Sequence, residues 1–146
     1  MKKMIVIILV SFNGFTAKAQ DEKVKVERAC FSYIEGFYEG DTSKLINCLN
    51  PALYKFGYWQ DKKTGKYESD GNMTWRQAID YAKRVYEKKN FAKANAPKKV
   101  EVLDIMNTIA AAKVTAWWGV DYVLLAKHDD KWMIDEVLWE GPLKNQ

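Results

Sequence analysis

The chain has 146 residues, 48% hydrophobic and 14% aromatic, with 23 Lys and Arg against 19 Asp and Glu. That length suits one domain around one core, and the small excess of positive charge is spread rather than clustered, so no nucleic-acid partner is expected. With a single histidine, two cysteines, no Gly-rich phosphate loop and no Ser/His/Asp set, neither a metal nor a cofactor is expected.

The first twenty residues read MKKMIVIILVSFNGFTAKAQ. Lys2 and Lys3 form a basic start, Met4 to Val10 an apolar run, and Ala17-Lys18-Ala19 a small-x-small cleavage site, the pattern of a secretory signal peptide removed after Ala19. The apolar run is shorter than the roughly 20 residues a membrane span needs, so no stable membrane insertion is expected after cleavage. The expectation is a periplasmic or secreted mature domain, residues 20–146, carrying 20 basic against 19 acidic side chains once Lys2, Lys3 and Lys18 have left.

Asp21 to Glu39 places Val26, Cys30, Tyr33, Ile34 and Phe37 on one helical stripe, with Gly40 as the stop. A short helix follows, capped at Asp41 or Thr42 and broken at Pro51. Leu53 to Asn72 changes to a period near two around Lys-Lys-Thr-Gly, a hairpin rich in Tyr and Trp. The next helix starts at the capping box Thr74 and Gln77.

After Pro97 come segments of strand composition: KVEVLDIMNTIAAAKVTAWW, dividing near Asn107-Thr108, then GVDYVLLAK and KWMIDEVLWE. Their junctions at Trp118-Gly119 and His128-Asp129-Asp130 are short enough for antiparallel hairpins. Helices first and a meander last define an α+β domain, with the helices on one face of a curved antiparallel sheet. Tyr122 and Leu124 alternate with Val123 and Leu125, so both sheet faces are partly apolar, and a homodimer through the sheet is expected to cover the second.

The order helix, short helix, aromatic hairpin, long helix, meander resembles the nuclear-transport-factor-2-like (cystatin-like) cone. Within it, YIEGFYEGDTSKLINCLNP (Tyr33 to Pro51), AAAKVTAWWGVDYVLLAK (Ala110 to Lys127) and DDKWMIDEVLWEGP (Asp129 to Pro142) resemble the exported bacterial proteins of the putative lumazine-binding family. The resemblance covers nearly the whole mature chain and implies fold and compartment. It maps no catalytic residue. Relatives often carry His-Pro where this chain has Asn50-Pro51.

Similar cones include ketosteroid isomerase, scytalone dehydratase and SnoaL-like cyclases, which implies a search for an acid held in an apolar pocket. The candidates are Asp104 in VLDIM, Asp121 in GVDYVLL and Asp135 in WMIDEVLW. By alternation Asp121 points with Val123 and Leu125, and Asp135 with Met133, Val137 and Trp139. Each is either a pocket acid, a dimer-face residue or half of a structural pair. His128 reads as a solvated turn residue instead.

Tyr33, Tyr54, Tyr58, Trp59, Trp75 and Trp117 are the candidate ligand-binding aromatics, with core packing the other reading for those on helical stripes. Cys30 on the apolar stripe reads as a buried free thiol, with a bridge to Cys48 the alternative in an oxidising compartment. The expected function is binding of a small apolar or aromatic molecule without chemistry. The alternatives are an isomerase, dehydratase or cyclase working through a pocket carboxylate, and an accessory module that meets a protein partner.

Overall fold

Nine elements make up residues 13–143, which the computed structural model describes. In chain order they are α1 (Asn13–Glu39), α2 (Thr42–Cys48), β1 (Leu49–Gln60), β2 (Tyr67–Thr74), α3 (Trp75–Glu87), β3 (Lys99–Ile105), β4 (Ile109–Ala116), β5 (Gly119–His128) and β6 (Lys131–Gly141). Residues 1–12, which hold most of the expected signal sequence, lie outside the described residues. Helix α1 begins at Asn13, upstream of the expected Asp21, and runs through Ala17-Lys18-Ala19. None of the described helices is long and apolar enough to cross a membrane.

Local chemistry sets the element boundaries. Asp41 caps α2 by accepting the backbone N–H groups of Ser43 and Lys44. Thr74 and Gln77 close the capping box at the start of α3. Gly40 ends α1 with a φ of 67°, and a Cβ there would lie 2.5 Å from the backbone nitrogen of Tyr86, so α1 and α3 approach through a position only glycine fills. Asp129 and Asp130, both with positive φ, form the β5–β6 turn.

The six strands form one sheet in the order β2-β1-β6-β5-β4-β3. Four of the five pairings are antiparallel, but β1 runs parallel to β6. A purely antiparallel sheet was expected; the long connection through β2, α3 and β3–β5 is what allows a parallel partner. Strand β1 also starts at Leu49, ahead of Pro51, rather than at Leu53.

A bulge in β6 corrects the reading of the last strand. Leu124 pairs with Glu136 and Leu125 with Ile134, so Asp135 has no partner on β5. The extra residue reverses the alternation, and both Ile134 and Val137 face the core. Asp135 therefore does not share one uninterrupted face with Met133, Val137 and Trp139.

The core lies between the helices and the concave sheet face. Val26, Cys30, Tyr33, Ile34 and Phe37 of α1 meet Leu45 and Cys48 of α2, Ala78, Ile79 and Ala82 of α3, and Val114, Val123, Leu125, Ile134 and Val137 of the sheet. Cys30 and Cys48 are both free buried thiols. Burial, with the charge of Glu27, pushes the Cys30 thiol up to about 12, and burial raises Cys48 as well.

Candidate functional site

At one end of the core the packing opens into a cavity of about 360 Å³. Helix α1 contributes Tyr33 and Phe37, one turn apart, and α3 contributes Tyr81. Strand β1 sends Lys55 and Trp59 inward, with Gly57 between them. Strand β2 adds Asp70 and Met73, the β4–β5 turn adds Trp117 and Trp118, and β6 adds Trp139. The exposed members, Asp70 and Trp117, mark the mouth, while Tyr33 and Lys55 mark the buried floor.

The walls are edge-to-face aromatics. Tyr33 meets Phe37 at 5.2 Å between ring centroids, and Phe37 meets Trp118 and Tyr81 at 5.7 Å each. Trp118 is held further by Tyr38 and Trp117 at 5.6 and 5.8 Å. The Tyr38 hydroxyl accepts the Trp117 backbone N–H at 2.8 Å and donates to the Pro97 carbonyl, which fixes the turn carrying both tryptophans. Trp139 lies over Gly57, where a Cβ would come within 2.3 Å of the indole. Trp59 and Trp139 pack at 6.2 Å.

Beneath these rings is a polar chain. The Tyr33 hydroxyl donates to Asp121 Oδ2 at 2.6 Å, Trp118 Nε1 donates to Asp121 Oδ1 at 2.8 Å, and Lys55 Nζ donates to the Tyr33 hydroxyl at 2.9 Å. Lys55 Nζ also lies 3.5 Å from Asp121 Oδ2, with side-chain exposures of 8% and 0%. A buried carboxylate survives only when paired and hydrogen-bonded, and Asp121 is both. Burial pulls the Lys55 amine below the usual lysine range, opposed by the Asp121 charge. Burial and the same charge hold the Tyr33 hydroxyl well above its usual value, so it keeps its proton.

Of the expected aromatics, Tyr33, Trp59 and Trp117 line this cavity. Tyr54 and Tyr58 do not. They alternate with Lys55 and Gly57 and sit on the outer sheet face, 53% and 41% exposed. Trp75, the first residue of α3, packs against the core away from the cavity lining.

The acids separate as clearly. Asp121 is fully buried beneath the cavity. Asp104 is exposed on the edge strand β3, where its Oδ1 accepts the N–H of Ile105. Asp135, at the bulge, accepts from Asn50 Nδ2 at 2.6 Å and sits 3.0 Å from His128 Nε2. Asp135 is thus half of a structural pair. His128 is exposed as expected, yet it ties the end of β5 to the bulge and to Asn50, 3.0 Å away.

Lys55 is the residue that sequence reasoning missed. In LYKFGYW it looks like any hairpin lysine: its even spacing puts it on one face with Leu53, Gly57 and Trp59, but does not say that this face is the inward one. Among the described residues no three His, Cys, Asp or Glu side chains converge as metal ligands would.

An α+β cone with an aromatic cavity above a buried Lys-Tyr-Asp chain is the class of molecule these observations define. The chain belongs to the family described as "Putative lumazine-binding", whose pattern matches residues 21–140. No curated protein matches it in sequence. Solved structures resemble it in fold. A nuclear-transport-factor-2-like protein of unknown function from Methylobacillus flagellatus is 20% identical with a TM-score of 0.62, covering 91% of this chain and 95% of that one. Another, from Silicibacter pomeroyi, is 15% identical with a TM-score of 0.56, covering 86% and 96%. A cystatin-like domain of unknown function from Nostoc punctiforme is 10% identical with a TM-score of 0.50, covering 88% and 80%.

Proposed function

We propose that this chain is an exported domain that binds a small, flat, largely apolar molecule in its cavity, as a homodimer joined through the outer sheet face. The observation that carries the reading is the wall of Phe37, Trp59, Tyr81, Trp117, Trp118 and Trp139 over a single buried amine. Ligand sites are concave and mostly apolar with a few placed polar groups, and about 360 Å³ lies within their usual range of roughly 300–1,000 Å³. Lumazine, named in the family's description, is a flat bicyclic heteroaromatic whose faces suit such a wall and whose edges carry polar carbonyl and N–H groups.

General acid/base catalysis through Asp121 is less well supported. Both carboxylate oxygens are occupied, by Tyr33 and Trp118, and the group lies under the cavity lining rather than in it. A base must reach the proton it abstracts.

Native mass spectrometry of the protein recovered after export tests the reading. The expected result is a chain beginning at Gln20, in dimers that carry a small molecule removable by denaturation. A chain that carries nothing, and whose tryptophan fluorescence does not respond to lumazine, would overturn the ligand assignment.

A further inference from the structure

We infer that Lys55 is a nucleophilic amine that captures the carbonyl group of an aldehyde or ketone ligand as an imine. The inference rests on the ligand cavity proposed above and deepens it, because it names the functional group the flat ligand must present.

The geometry has three parts. Lys55 Nζ stands at the buried end of an aromatic cavity, 5.6 Å from the centroid of Tyr33 and 5.1 Å from that of Trp139. Tyr33 takes one N–H and Asp121 Oδ2 lies at 3.5 Å, which leaves one N–H of the ammonium form without a protein partner among the described residues. The third part is the chain Lys55 N–H to Tyr33 O–H to Asp121 Oδ2, continuous at 2.9 and 2.6 Å.

That chain can neutralise the ion pair internally. If Lys55 passes a proton to the Tyr33 oxygen while Tyr33 passes its own to Asp121, the site becomes an amine and a carboxylic acid. Tyr33 stays protonated and no proton leaves. Because nothing charged has to leave the low-dielectric site, the free amine is reached from the resting ion pair by this internal exchange alone. Burial of Lys55 acts in the same direction. Desolvation in an apolar pocket is a general route to an activated lysine.

The step balances without oxidant or reductant. The amine turns about its Cε–Nζ bond so that the lone pair left by the transfer to Tyr33 faces the cavity, and that pair forms a carbon–nitrogen bond to the carbonyl carbon as the carbon–oxygen π electrons move onto oxygen. The nitrogen gives up one proton and the oxygen takes one, giving a carbinolamine. A second proton on that oxygen, relayed from Asp121 through Tyr33, lets it leave as water while nitrogen returns its last hydrogen to Asp121 by the same route and the carbon–nitrogen double bond forms. The sum is carbonyl plus amine giving imine plus water.

The test uses 2-naphthaldehyde as the carbonyl probe and naphthalene as its counterpart without a carbonyl. The exported protein is incubated with 2-naphthaldehyde at neutral pH, reduced with cyanoborohydride and peptide-mapped, while naphthalene binding is followed by tryptophan fluorescence. Lys55 is expected to be labelled about tenfold faster than any other lysine, because burial in an apolar site raises the fraction that stands as free amine. Lys55→Arg keeps a cation beside Asp121 and cannot form the imine, so it should lose the fast label and retain the slow ones. Labelling at Lys55 no faster than elsewhere, with naphthalene bound, would overturn the amine and leave the cavity reading intact. Failure of both naphthalene binding and fast labelling would overturn both.

Discussion

Lys55 and Asp121 are each tolerable in the core only because of the other. Methionine at position 55 would leave the Asp121 carboxylate fully buried with two neutral donors and no counter-charge. Breaking a buried pair from one side costs about 3–5 kcal/mol, whereas replacing both partners with apolar groups is often close to neutral. Lys55→Met should therefore lower the denaturant midpoint sharply, and Lys55→Met with Asp121→Leu should recover much of the loss. A single variant as stable as the parent would mean that Asp121 does not depend on the amine. Asp121 was legible as an acid in apolar sequence, but its partner was not. A strand's inward set is fixed by one-residue parity, and nothing local to LYKFGYW chooses between Tyr54/Tyr58 and Lys55/Trp59. The same undetermined parity put Tyr54 and Tyr58 among the candidate ligand-binding aromatics, when they stand on the outer face.

Elements are held to one another by a few polar and steric fittings. Glu22, near the expected mature N-terminus, accepts from Lys127 Nζ of β5 at 2.5 Å and from Trp132 Nε1 of β6 at 2.7 Å, tying α1 to the β5–β6 hairpin. These contacts, the Lys127 bond foremost, lower the Glu22 carboxyl from 4.5 to about 2. A depressed acid stabilises the fold above its unfolded value, and the contribution disappears as pH falls from about 4.5 toward 2. Glu22→Gln should cost about 1–3 kcal/mol at neutral pH, and thermal melts should show parent and variant converging across that acid window. Parallel melting curves from pH 7 to 2 would remove Glu22 from the account. Between β1 and β6 the fitting is steric. Gly57→Ala would press a methyl against the Trp139 indole at 2.3 Å and its carbonyl oxygen at 2.4 Å. Overpacking of this kind costs about 1–3 kcal/mol, and a displaced Trp139 should weaken naphthalene binding in the fluorescence titration. Caps and turns were readable because Asp41, Thr74/Gln77 and Asp129-Asp130 act within a few residues. The parallel β1–β6 pairing joins segments about 80 residues apart, and the Asp135 bulge is a single extra residue inside the β5–β6 hairpin that no alternation pattern marks.

At the scale of the molecule, the outer sheet face is the feature that a monomer leaves unexplained. Register aligns Phe56, Leu138, Tyr122 and Lys113 across four strands, with Tyr54, Glu136, Leu124 and Ala111 in the rung on one side and Tyr58, Glu140, Val120 and Thr115 on the other. Leu124, Leu138 and Tyr122 are each about half exposed. A contiguous apolar patch rimmed by polar groups marks a contact surface. The rungs also place a lysine at one end and glutamates within the stripe, so a two-fold axis through the sheet can set Lys113 of each copy against Glu136 or Glu140 of the other, as an isologous interface requires. Leu124→Lys with Leu138→Lys would put two charges in the centre of that patch without touching the concave core. The expected outcome in sedimentation velocity is a monomer in place of a dimer, with the far-ultraviolet circular dichroism retained because neither side chain packs inward. If the parent chain itself sediments as a monomer at all concentrations, the outer face is not a self-interface, and its apolar rungs must be met by something other than a second copy.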